Sequence, residues 1–152
     1  GYFSTLVLPT YIQFTMNPVL RNILAVIAGA IVGGVVNGFI IGISGKIIPP
    51  PDGADLTTMV GLKASMHLFT PINFLMPWLA HAIGTFVGAI IAALIAVGNK
   101  MRAAMIVSVL FLIGGIINVY MLPAPMWFNA TDLLLAYLPM GYLGGKLMAG
   151  RK

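Results

Sequence analysis

Asn37, His81, Thr85, Asn118 and Tyr137 are the side chains in this sequence best placed to do chemistry, because each is a polar group set in a long apolar stretch. A carboxamide offers two donors and an acceptor, a neutral imidazole one of each, and a hydroxyl a donor with two lone pairs. In hydrocarbon such groups must find partners, since an unpaired one costs several kcal/mol. Two outcomes are open. In one, the five side chains bond across helices and fix the packing, each bond contributing about 0.6 to 2 kcal/mol. In the other, they line a small polar pocket or pathway and take a ligand.

Other chemistries find few candidates. His67 and His81 are 14 positions apart on different elements, with no His-x-x-x-His or carboxylate spacing around them. Cysteine is absent, so neither thiolate chemistry nor a cysteine metal site is available, and no metal or cofactor is expected. Asp132 is the acid nearest an apolar stretch, and its place at the start of one predicts a helix cap rather than a proton relay. Asp52 and Asp55 belong to a Pro-Gly turn and are expected in solvent. Asn129-Ala130-Thr131 fits a glycosylation sequon, a pattern too short to carry weight. No nucleophile elbow, zinc helix, phosphate loop or pair of intramembrane carboxylates is present, so the chain is not expected to be an enzyme.

The elements that must hold these residues are apolar and long. The sequence is 60% hydrophobic and 7% charged, against about 25% charged in a soluble domain. No Asp, Glu, Lys or Arg occurs from Asn22 to Gly45, from Ala64 to Asn99 or from Ala103 to Thr131. A bilayer needs about 20 apolar residues per helix, and only a helix satisfies its own backbone there. Four spans are predicted, at about 18–44, 78–97, 103–122 and 132–149, with an outer loop over 45–77. Pro49-Pro50-Pro51 ends the first span, Asp52-Gly53 turns, and Asp55 is expected to cap a short surface helix, Leu56 to Leu68, with Lys63 snorkelling. Trp78, Trp127 and Phe128 are expected at the interface, and Pro139 is expected to kink the fourth span. Residues 1–15 read as an extension or an interfacial segment, because Met16-Asn17-Pro18 has the look of a natural start.

The chain also repeats itself. Arg21 to Phe39, RNILAVIAGAIVGGVVNGF, returns 81 positions later as Arg102 to Tyr120, RAAMIVSVLFLIGGIINVY. Gly33-Gly34 aligns with Gly114-Gly115, and Asn37 with Asn118. At an offset of 56, Leu79-Ala80-His81 aligns with Leu135-Ala136-Tyr137. Two similar hairpins follow, related as parallel repeats. Small residues four apart, Ala30-Gly34-Gly38-Gly42 and Ala80-Gly84-Gly88-Ala92-Ala96, predict close helix contacts within the chain or between copies of it, so a homo-oligomer is open. Arg21, Lys100, Arg102, Lys146, Arg151 and Lys152 fall on one side, and Lys46, Lys63 and the three acids on the other. That bias puts both termini in the cytoplasm. It also explains the net charge of +5 without a nucleic-acid partner.

The runs IIPPPDG, SMHLF, FLMPWLAHAIGTFVGA, GGIINVYMLPAPMWF and YLPMGYLGGKL resemble a group of small, uncharacterised bacterial four-span inner-membrane proteins, over Met16 to Lys152. The resemblance implies a bacterial cytoplasmic membrane and no particular activity.

The expected fold is therefore all-α, a polytopic membrane four-helix bundle of two similar hairpins with an interfacial helix in the outer loop. The expected role is non-enzymatic, the binding of a lipid or small lipophile or service in a larger complex. The alternative is a small oligomeric transporter or channel using Asn37, His81, Asn118 and Tyr137.

Overall fold

The computed structural model of the chain describes residues 16–150, so the expected extension 1–15 lies outside it, as do Arg151 and Lys152. Among the described residues every regular element is helical. Helix α1 is Pro18–Ile47, α2 Met59–Ser65, α3 Leu75–Ile95, α4 Lys100–Met121, α5 Met126–Leu135 and α6 Leu138–Ala149. Single 3₁₀ turns occupy Met66–Leu68 and Pro71–Phe74. Asn17 caps α1 by accepting from the Val19 N–H, and Pro18 takes the first turn, where its missing donor is not needed. Asn99 caps α4 on the Arg102 N–H, and Gly98, at φ 76°, supplies the left-handed residue of the turn before it.

Among the described residues three helices are long and apolar enough to cross a membrane: α1, α3 with the 3₁₀ turn before it, and α4. The single helix expected over 132–149 is not there. The chain instead forms α5, directly after Pro125, breaks at Ala136–Tyr137, and restarts as α6. Pro139 is the cause. It has no N–H to give, and in a continuous helix its ring would collide with the carbonyl four residues back, so the expected kink becomes a break.

Helix α3 is the centre of the packing, with α1, α4 and α6 each laid against it. Its small residues Ala80, Gly84, Gly88, Ala92 and Ala96 are buried, as their spacing predicts. The partner face of α1 is not the expected Gly34-Gly38-Gly42 stripe, which is exposed with open space where each Cβ would stand. It is Ala25, Gly29 and Gly33, one residue round the helix. A Cβ on Gly29 would meet the Gly88 carbonyl oxygen at 2.5 Å, and one on Gly33 the Gly84 oxygen at 2.6 Å. Backbone therefore lies on backbone. Ala25, Gly29 and Gly33 are buried, while Gly34, Gly38 and Gly42 lie beside the exposed Ile31, Val35 and Ile41. Arg21 and Asn22 fasten the start of α1 to the end of α3. The Arg21 Nε donates to the Ile95 carbonyl at 2.8 Å, and the Asn22 amide bonds both the N–H and the carbonyl of Val97.

The loop between α1 and α3 folds onto the helix ends. Its helix is shorter than expected and is capped by Thr58, whose hydroxyl accepts from the Gly61 N–H. Asp55 does not cap it. The carboxyl is held below its ordinary range, first by the Thr57 hydroxyl and then by the Thr57 N–H. Met66, Phe74 and Phe128 form an aromatic cap, joined by Phe69 and Trp78. Trp78 is thus not a simple interfacial anchor. Its ring packs between this cap and Tyr137, and its buried Nε1 has no partner among the described residues.

The close seam gives a paired test of the fold. Gly88→Leu forces α1 and α3 apart and is expected to cost about 2 to 3 kcal/mol or more, as overpacked interiors do. Gly38→Leu, in open space, is expected to stay within about 0.5 kcal/mol. Thermal unfolding in detergent separates the two, and equal losses would reject the observed helix register.

Candidate functional site

Asp132, expected to be a cap, is the centre of the candidate site. It lies inside α5 rather than at its start, and is 3% exposed. Its Oδ1 stands 2.8 Å from His81 Nδ1, and its Oδ2 accepts from the Tyr137 hydroxyl at 2.8 Å. The Tyr137 oxygen is also 3.0 Å from His81 Nδ1, and the two rings stack at 5.8 Å between centroids. With Asp132 accepting both contacts, the imidazole hydrogen is assigned to Nδ1 and leans toward the phenol oxygen as well. The remaining ring nitrogen, Nε2, has no partner among the described residues.

Three elements place this network. Helix α3 brings His81, α5 brings Asp132, and the break after α5 brings Tyr137. Tyr137 is five residues beyond Asp132, and only because the helix ends between them can its hydroxyl return to the carboxylate. Gly115 on α4 makes the room. A Cβ there would collide with the Tyr137 ring and hydroxyl, so a side chain at this position would push the phenol off Asp132. Thr85 steadies His81 from one turn below, its hydroxyl donating to the His81 carbonyl at 2.7 Å.

His81 and Tyr137 form part of the wall of a cleft of about 470 Å³ between α1 and α4. Asn37 enters it from α1 and Asn118 from α4, with Phe111, Leu110 and Ile117 as apolar walls. Four of the five residues singled out by sequence thus meet at one cleft, and Thr85 does not line it. The two asparagines do not bond to each other, nor to any described side chain or carbonyl, so they are not the cross-helix lock that packing alone would need. His67 is elsewhere, exposed in the outer loop and bonded to the Ala64 carbonyl. Among the described residues no group of three His, Cys, Asp or Glu could hold a metal ion. The arrangement can hydrogen-bond a polar group at an apolar wall, and it can hold a proton between His81 and Asp132.

Sequence reasoning missed Asp132. The signal was partial, since Pro139 marks a disturbance of the helix that would keep Asp132 and Tyr137 on different faces without saying how far the chain turns.

Comparison of the chain with protein-family models, with curated proteins and with solved structures returns no match.

The network makes a thermodynamic prediction. His81→Leu strands a buried carboxylate and is expected to cost about 3 to 5 kcal/mol. Tyr137→Phe removes one donor and is expected to cost about 1 to 3 kcal/mol. The double variant His81→Leu/Asp132→Leu should lose less than the sum of its single changes, because it leaves no unpaired charge. Unfolding of all four proteins in one detergent checks the cycle, and strict additivity would mean the side chains are not coupled.

Proposed function

We propose that this is a four-span inner-membrane protein that binds a small amphiphile, polar at one end and apolar along its body, in the cleft between α1 and α4. The observation that carries the reading is the set of unpartnered polar groups there: the carboxamides of Asn37 and Asn118 and the Nε2 of His81, on a wall that is otherwise apolar. Groups of this kind inside a membrane mark binding sites and pathways more often than surface ones do. In this reading α5 and α6 make the fourth crossing together, since at about 1.5 Å per residue their lengths sum to the hydrocarbon thickness of about 30 Å. Their break lies against the cleft, which is where irregular backbone is tolerated at membrane depth. The end holding Arg21, Lys100, Arg102 and Lys146 faces the cytoplasm, by the positive-inside rule. The two hairpins descend from one unit, a view supported by His81 and Tyr137, aligned in sequence and stacked in space.

The test uses Trp78, which packs on Tyr137. In a Trp127→Phe background, reconstituted in lipid nanodiscs, a brominated long-chain alcohol is expected to quench Trp78 saturably. Asn37→Leu/Asn118→Leu should weaken that binding about tenfold or more, from two lost hydrogen bonds. Quenching that rises linearly and equally in both proteins is simple partitioning, and would end the proposal.

A second reading, proton-linked transport, is favoured by the buried Asp132–His81 pair, since intramembrane carboxylates paired with histidine serve as proton relays. Vesicles carrying the wild-type protein and an imposed membrane potential would then acidify faster than vesicles carrying Asp132→Asn. Equal rates would exclude it.

A further inference from the structure

A second cleft lies on the same α1–α4 seam, next to the first and nearer the start of both helices. Its volume is about 570 Å³, larger than the first. The walls are the apolar side chains of Val19, Ile23 and Ile27 on α1 and of Ala103 and Ile106 on α4. Its mouth carries Arg102. The sequence aligns this arginine with Arg21, yet the two do different work. Arg21 spends its Nε on the Ile95 carbonyl and holds α1 to α3. The Arg102 guanidinium makes no hydrogen bond or ion pair among the described residues, and only its backbone N–H is used, by Asn99. Every described acid is elsewhere: Asp52 and Asp55 in the far loop, Asp132 in the buried network.

An exposed guanidinium above an apolar slot is complementary to one kind of molecule, an anion attached to a hydrocarbon chain. We infer that this cleft binds an anionic phospholipid of the cytoplasmic leaflet, its phosphate on Arg102 and one acyl chain along the α1–α4 slot. Guanidinium matches phosphate in charge and in its planar fork of donors, which neither a lysine nor a neutral amide does. The negative surface potential of that leaflet adds attraction at this depth. A second copy of the chain is disfavoured as the occupant, because it would bring another Arg21 and Arg102 to the same place. The inference rests on this end lying at a membrane surface and not on what the other cleft binds.

The experiment is native mass spectrometry of the full chain released from nanodiscs of equimolar phosphatidylcholine and phosphatidylglycerol. One phosphatidylglycerol is expected to remain bound in preference to phosphatidylcholine. Arg102→Gln should lower that preference about tenfold or more, the loss of a charge-assisted contact. Ile27→Trp, which fills the slot but leaves the arginine, should lower retention of both lipids. Lys146→Gln, a charge change at the same end but away from the slot, should leave retention unchanged. The proposal falls if Lys146→Gln weakens retention as much as Arg102→Gln, since binding would then be diffuse surface charge. It falls if Ile27→Trp changes nothing. It falls also if soluble glycerol phosphate displaces the lipid, because the site would then be one for a water-soluble anion.

Discussion

A carboxylate inside an apolar bundle has to be answered by donors, and the Asp132 network is that answer. Two donors reach it, from His81 on α3 and from Tyr137 at the break between α5 and α6. Each donor fixes the element that carries it. His81 sets the rotation of α3 about its axis, and Tyr137 sets where the chain leaves α5 and enters α6. Helix α4 then approaches only as closely as Gly115 permits. The cleft is what remains once these positions are set, and its polar residues are the ones the network leaves over.

The packing around α3 follows a different physics. Between apolar helices in lipid no water is released, so contact has to come from shape. Gly29, Gly33, Gly84 and Gly88 bring two backbones together, Gly144 brings α6 onto the Phe86 carbonyl of α3, and Gly145 makes room for the Met101 and Ala104 side chains of α4. Seams built this way are dense and leave no room for a ligand. The α1–α4 seam is built otherwise. The helices meet less closely there, and both clefts open along it.

Much of this was readable from the residues. The three long helices follow from the blocks free of charge, and their caps from Asn17 and Asn99. Asn37, His81, Asn118 and Tyr137 could be placed at one level because antiparallel connections and the 81- and 56-position offsets locate them without any knowledge of contacts. Two things were not readable. A helix advances about 100° per residue, so Asp132 and Tyr137, five apart, point about 140° away from each other in a continuous helix. They share a partner only because the helix breaks, and the sequence shows Pro139 without saying how far the chain turns there. The face of α1 was ambiguous for another reason. Two small-residue rows run along it side by side, Ala25-Gly29-Gly33 and Ala30-Gly34-Gly38-Gly42, and spacing alone favours the longer one. The choice is made by the match to α3, where Gly29 and Gly33 lie on Gly88 and Gly84, and that match is not visible in α1 alone.

Phe128 and Asp132 are one helical turn apart on α5. The first is pinned in the aromatic cap of the outer loop, the second in the network with His81 and Tyr137. Helix α5 is therefore a short lever with a grip at each end, and it is cut off from α6 by the break. A shift of the cap would therefore reach the carboxylate, and through Tyr137 the start of α6. The aromatic cap, which touches nothing in the cleft, is in this way joined to it through one turn of α5 and the carboxylate that His81 and Tyr137 hold.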